Sequence, residues 1–305
     1  MITSHNEAIK YWNGKPYYSL NTHLQERFGQ KIHKIALDGG FTCPNRDGTL
    51  DTRGCIFCSA EGSGDFAVDR LPEITDGSPF IAYFQSFTNT YGSLEKLEAC
   101  YRTAIEHPDT AVLSIATRPD CLPDEVIELL KNLNQIKPVW VELGLQTIHE
   151  STARFIRRGY SLAVFTDAVK RLHDAGIEVI VHTILGLPGE TLNDMIETHR
   201  FLANQPIQGV KLQLLHILKG TDLNIIYEHD PFPVFSKEGY IDALIRCIEV
   251  LSPDFVLHRI TGDGPKHLLT APLWSGYKKQ VLNDIHHEFK LRNSWQGKNY
   301  ERKTL

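Results

Sequence analysis

Cys43, Cys55 and Cys58 form a C-x11-C-x2-C run in a chain of 305 residues. Three thiolates at close spacing can hold three irons of a cubane iron–sulfur cluster. A fourth cysteine would close the cluster. With three, one iron stays open to another ligand, and an open position separates a catalytic metal site from a structural one. Phe57, one residue before the last cysteine, would shield the cluster from water and so influence its potential. A C-x2-C pair also reads as a zinc or redox motif. Zinc needs a fourth ligand, and the nearest imidazole, His33, falls inside a predicted strand. A disulfide fits less well: residues 1–11 are polar, with no signal peptide, and cytosolic thiols stay reduced. Cys100, Cys121 and Cys247 are widely separated and read as buried thiols rather than a second cluster.

The elements around this loop follow from periodicity. Apolar runs predict strands over 33–37, 80–84, 111–116, 139–145, 177–185, 210–218 and 255–260. Between them, helical spacing covers 93–106, 123–133, 162–175, 191–203 and 237–251. Pro123 stands near the first turn of its helix, Asp124 and Glu125 favour the positive end of that dipole, and Gly176 suits a C′ stop. Repeated βα units imply parallel strands joined by right-handed crossovers. A doubly wound sheet and a barrel both satisfy this. Polar signatures at the C-terminal ends of nearly every strand favour the barrel, where chemistry sits on that face. No Gly-x-Gly-x-x-Gly follows the first strand, which weighs against a dinucleotide fold.

Composition bounds the rest. The net charge is −5, so the chain as a whole is not marked as a nucleic-acid binder. Residues 278–305 differ, with seven Lys/Arg against three acids, a net +4. Such a tail is read either as a solvated surface or as a phosphate-binding patch. No apolar stretch is long enough to span a bilayer, so a soluble, cytoplasmic protein is expected.

The strand ends carry Gln85 to Tyr91, Thr117-Arg118-Pro119-Asp120, Glu142 to Gln146, His182 to Glu190 and His216 to Thr221. Each is weak alone; in this order after a three-cysteine loop they are collectively specific. Over residues 15–290 the chain resembles the radical S-adenosylmethionine (SAM) superfamily. Within it, the chain looks like the branch of the elongator catalytic subunit and coproporphyrinogen dehydrogenase-like enzymes, and is similar to YtqA/YhcC-type members. The long first cysteine spacing, Tyr83-Phe84-Gln85 to Tyr91, Thr117 to Asp120, and Arg259 to Pro265 carry that likeness.

The resemblance implies an α/β fold: a partial (β/α)6-type radical SAM barrel over 33–220, an N-terminal cap over 1–32 and a C-terminal extension over 221–305. It implies a [4Fe–4S] cluster on Cys43, Cys55 and Cys58, with SAM chelated at the open iron. One electron would cleave the sulfonium, and the 5′-deoxyadenosyl radical would take hydrogen from substrate. An electron donor such as flavodoxin or ferredoxin would reduce the cluster. Gln85, Thr117, Glu142, Gln146, Arg158, His182 and Leu187 are the expected SAM-side residues. Gln146 matches the fourth-strand motif, and Arg158 lies where the branch often has a SAM-contacting arginine. Surface charge in Arg157-Arg158-Gly159 is its other reading. His182 occupies a position where some relatives use Asp toward the ribose; a satisfied strand histidine is the alternative. Ala116 departs from elongator-type relatives, some of which have Glu before Thr-Arg-Pro-Asp. The expected reaction is modification of a C5-substituted wobble uridine in tRNA, processing a carboxymethylaminomethyl group. Tyr91, His216, Trp274, Lys278 and Lys279 are the expected substrate-binding residues, aromatics stacking on the base and lysines gripping phosphates. A small metabolite or peptide substrate, and a non-catalytic iron–sulfur carrier or metal-stabilised binding module, are the competing readings.

Overall fold

A computed structural model describes residues 2–71, 77–262 and 264–301. Its strands are β1 (His33–Leu37), β2 (Phe80–Phe84), β3 (Thr110–Thr117), β4 (Val139–Gln146), β5 (Glu178–Leu185), β6 (Gly209–Leu214), β7 (Ile217–Leu218), β8 (Val256–Arg259) and β9 (Leu269–Ala271). Seven of them form one parallel sheet in the order β1-β2-β3-β4-β5-β6-β8. The helices are α1 (His5–Tyr11), α2 (Leu20–Phe28), α3 (Leu94–Ile105), α4 (Asp124–Asn134), α5 (Glu150–Phe155), α6 (Leu162–Asp174), α7 (Leu192–Leu202), α8 (Asp222–His229), α9 (Lys237–Glu249) and α10 (Lys278–Leu291). This is the partial barrel that the βα alternation predicts. β8, from the C-terminal segment, supplies its seventh strand.

Strand periodicity sorts the side chains into two faces. Val139, Val141, Leu143 and Leu145 of β4 meet Val179, Val181, Val210 and Leu212 in the core under the helices, with Leu130, Phe165, Leu172 and Leu244 packed on them. The opposite face starts with an apolar plug, Ile81, Val112, Trp140 and Ile180, closed by Leu24 of α2 and by Ile32. Above the plug come charged side chains, then the cavity. Both outer edges are covered. Val68 pairs with the backbone of Ala36 and Asp38 beside β1, and Leu257 of β8 donates to the Tyr18 carbonyl. Such cover removes templates for edge-to-edge pairing.

Helix ends follow their sequence signals. Ser93 caps α3, and Thr191 with Asp194 forms a capping box on α7. Gly176, just past α6, has φ +73°. Pro123 takes the N-cap of α4 rather than its first turn. The run expected as one strand over 210–218 is two. Leu215 still donates to Leu185, but the chain then leaves the sheet, and β7 pairs antiparallel with β9. Apolar continuity does not reveal the turn at His216, which packs against Gly262 and Gly264 of a distant segment. No described helix is long and apolar enough to cross a membrane.

Candidate active site

The cysteine loop joins β1 to β2 and is tied down by its own polar side chains. The Asn45 amide donates to the Arg157 carbonyl at 2.7 Å. Arg46 donates to the carbonyls of Cys58 (3.2 Å), Ser59 (2.5 Å) and Ala60 (3.3 Å). Gly54 has φ +77°, and a Cβ there would lie 2.9 Å from Nε of Arg46. Ile56 donates to Ile156 and accepts from Leu223, which anchors the loop on an apolar cluster that includes Leu187.

Cys43, Cys55 and Cys58 all line one cavity of about 250 Å³ at the C-terminal ends of the strands, with Phe57 beside them. His33 is exposed at the far end of β1, so it does not complete a zinc site with them. Among the described residues, the one trio of His, Cys, Asp or Glu whose ligand atoms all lie within 4.8 Å is His149, Asp194 and Glu197. At least one pair of the three thiols therefore stands wider apart than that. A single zinc ion with Zn–S bonds of about 2.3 Å would draw them closer. Burial pushes the Cys55 thiol up to about 12, with Cys58 adding to the shift, and burial likewise raises Cys58. Thiols in such a setting ionise when a metal cation joins them. Three thiol donors on one cavity fit a multi-iron cluster.

Around the cysteines the strand ends supply the walls. Gln85 lines the cavity and donates to the Ser63 carbonyl at 2.5 Å. Thr117, also a wall residue, shares a 2.5 Å hydrogen bond with Thr90. Gln146 sits at a β4–β5 register shift with φ +61°. A left-handed non-glycine residue is strained, and such strain concentrates at functional sites. Tyr160 holds the turn, donating to the Gly144 carbonyl at 2.5 Å, with the guanidiniums of Arg118 and Arg158 each 4.9 Å from its ring centroid.

Arg158 is 1% exposed. Its Nε donates to Tyr160, Nη1 to Leu145 and Thr147, and Nη2 to Glu150. Two of these bonds fasten the β4 exit and two tie it to α5 and the segment after it, while Arg158 itself borders the cavity. Arg118 makes a two-pronged bond to Asp120 and reaches the Arg158 carbonyl. Leu187 is buried behind the cysteine loop rather than on the cavity wall.

Glu142 is the hub of the charged layer. Its Oε1 accepts from Lys34 (3.0 Å) and Ser114 (2.8 Å), its Oε2 from His182 (2.7 Å) and Lys211. Burial alone would raise this carboxyl, but Lys211, Lys34 and the His182 bond outweigh it and hold the group well below the usual carboxylate range. His182 is lowered to about 4, first by burial and then by Lys211. It is therefore neutral, with Nε2–H donated to Glu142 and Nδ1 accepting from Gln213 at 3.4 Å. Lys34 and Lys211 escaped sequence reading, although a lysine amid the apolar residues of a strand is itself a signal of a buried charge.

A second cavity of about 560 Å³ adjoins the first, sharing His216, Gly262 and Gly264 with it. Lys266, Lys278, Lys279 and the exposed Tyr277 line it. Trp274 is on neither wall; it donates to the Phe235 carbonyl and packs on Tyr240. Tyr91 also lies off both walls, sharing a hydrogen bond with Thr49 of the cysteine loop. Arg302 and Lys303 of the basic tail, and Asp263 of the 259–265 stretch, lie outside the described residues.

Comparison with known proteins fits this geometry. The Radical SAM superfamily pattern matches residues 52–202, and the Radical_SAM C-terminal domain matches 207–290. YtqA of Bacillus subtilis is 44% identical over 97% of each chain. A tRNA uridine(34) acetyltransferase of Methanocaldococcus jannaschii is 28% identical over 65% of this chain and 35% of its own length. The solved Methanocaldococcus infernus Elp3, 18% identical, superposes with a TM-score of 0.58 over 94% of this chain and 61% of that one, which shows the shared fold. With three cysteines on one cavity at the strand ends of a partial barrel, this chain belongs to the radical SAM superfamily and is an enzyme of that class.

Proposed function

We propose that this enzyme processes the carboxymethylaminomethyl group of a wobble uridine in tRNA. The observation that carries the reading is the basic cavity adjoining the cysteine-lined one, where Lys266, Lys278 and Lys279 share the wall with the exposed Tyr277. Lysines that track phosphates beside an aromatic platform suit single-stranded nucleic acid. A base must leave its stack to enter a buried site, and this costs least in a single-stranded loop such as the anticodon. Similarity to a protein named tRNA uridine(34) acetyltransferase supports the same substrate class.

Cys43, Cys55 and Cys58 would hold a [4Fe–4S] cluster. With SAM bound, it would supply one-electron cleavage of the sulfonium and a carbon radical that takes hydrogen from substrate. The residues of this chain position and protect. Gln85, Thr117, Gln146 and His182 wall the space for SAM. Arg118 and Arg158 hold the β4 exit beneath them. Walls of this kind limit the access of quenching solvent to a reactive intermediate. A flavodoxin- or ferredoxin-type donor would deliver the electron. Mass spectrometry of tRNA nucleosides from a deletion strain tests the reading. Carboxymethylaminomethyl uridine is expected to accumulate at the wobble position. An unchanged nucleoside profile, with no tRNA binding at low salt, would transfer the assignment to a small metabolite or peptide.

A further inference from the structure

We propose that the charged layer under the cavity is a receptor for a carboxylate on the substrate, with Lys211 as its central donor and Arg259 beside it. The proposal rests on the substrate reading above and names the part of the protein that would recognise the acidic end of the uridine substituent. Three observations carry it.

The first is charge. Lys34 and Lys211 both bond to Glu142, so two ammonium groups share one carboxylate and the trio keeps a net positive charge. The layer below is apolar, with Ile81, Val112, Trp140 and Ile180. Of the two ammonium groups Lys211 is the buried one, and a buried ammonium over such a layer is stabilised by a further anion. A network that served only packing would be expected to end neutral.

The second is access. Lys211, Glu142 and Tyr83 face the cavity, whereas Lys34 does not. The Lys211 ammonium has three N–H groups. One goes to Glu142 and one to the Tyr83 hydroxyl at 3.3 Å, which leaves one for a ligand. Burial lowers Lys211 well below an ordinary lysine despite Glu142, and a bound anion beside it would favour the protonated form.

The third is position. Arg259 of β8 is in register with Lys211 of β6, and both line the cavity. The Lys211 ammonium, with the positive charge of Arg259 beside it, suits an anionic group. The layer lies deeper than the cysteines, while His216, Gly262 and Gly264 open toward the basic cavity. A substituent entering from that side would run into the cavity that Lys211 lines.

The test has two arms. In the first, binding of an anticodon stem-loop carrying carboxymethylaminomethyl uridine is compared with one carrying aminomethyl uridine, by fluorescence polarisation. The wild type should prefer the carboxylated loop by about tenfold or more, the scale of one charge-assisted hydrogen bond. Lys211→Met should lose that preference, and Lys211→Arg should keep part of it. In the second arm, sarcosine and its methyl ester are compared as thermal stabilisers, since sarcosine reproduces the amino-acid end without the nucleoside. Sarcosine should raise the Tm of the wild type and leave that of Lys211→Met unchanged. If Lys211→Met does not fold, the double variant Lys211→Met/Glu142→Gln, which removes both charges of the pair, replaces it. Equal binding of both stem-loops by the wild type, with no sarcosine effect, overturns the receptor and leaves the tRNA reading standing. A sarcosine effect that needs Lys211, with no binding of either stem-loop, keeps the receptor and overturns the tRNA reading.

Discussion

The two rims of the active-site cavity are built on opposite plans. On the cysteine rim nearly every polar side chain is bonded to the protein. Asn45 and Arg46 hold their own loop, Arg118 grips Asp120, and Arg158 fastens the β4 exit. On the basic rim Tyr277 and Lys279 stand exposed on a wider cavity. A rim whose donors are all fixed suits a small group of set geometry, because preorganisation avoids ordering cost at binding. A rim of exposed cations suits a large polyanion, whose attraction depends on charge more than on fit. On the function proposed above, the cofactor would be selected at one rim and the substrate at the other.

The largest effect expected from breaking this contrast is at the cysteines. Cys43→Ala, Cys55→Ala or Cys58→Ala should each abolish SAM cleavage and lower the iron retained after anaerobic reconstitution from the about four per chain of a cubane cluster. Lys279→Glu should retain wild-type iron. Iron and visible absorbance measured on all four variants check this. Full iron and cleavage in each cysteine variant would remove the distinction between the rims.

A smaller effect concerns pH. His182 and His199 are both lowered to about 4 by burial, His182 beside the cavity and His199 bonded to Met195 and Thr183. Their folded values lie below the unfolded one near 6.5. Their stabilisation is therefore complete above that value and is lost as pH falls toward 4, because the unfolded chain then binds the protons. Each imidazole should cost about 2 kcal/mol of stability by pH 5. Urea midpoints at pH 7.5 and pH 5 measure the fall, and His199→Gln should reduce it. An equal fall in that variant would assign the acid sensitivity to other groups.

The smallest effect sharpens the basic side. Binding of tRNA should weaken steeply with salt, and Lys279→Glu should lower the slope of log affinity against log salt by about one unit, as expected for a single phosphate partner. SAM affinity should not change. A slope that stays the same would move the phosphate-binding residues away from this cavity.

Much of this site was legible in the sequence because its information is local. Cys43, Cys55 and Cys58 lie within one loop, so metal-ligand spacing can be read along the chain. Strand periodicity and the polar residues at strand ends brought Gln85, Thr117 and Gln146 to one face, and the cavity does gather them. Periodicity also located the parallel strands to within a residue or two, the run beyond Leu214 apart. Tertiary structure decided what depends on curvature. Glu142 on β4 meets Ser114 and His182 from the adjacent β3 and β5, but it meets Lys34 and Lys211 from β1 and β6 only because the sheet bends until distant strands share one interior. No spacing rule along the chain encodes that meeting. The same holds for Arg158, whose Arg157-Arg158-Gly159 setting also read as surface charge and which folding buries against carbonyls of the β4 exit. Local chemistry names the ligands and periodicity names the strands, but partners brought together across the barrel become defined only when the sheet closes around them.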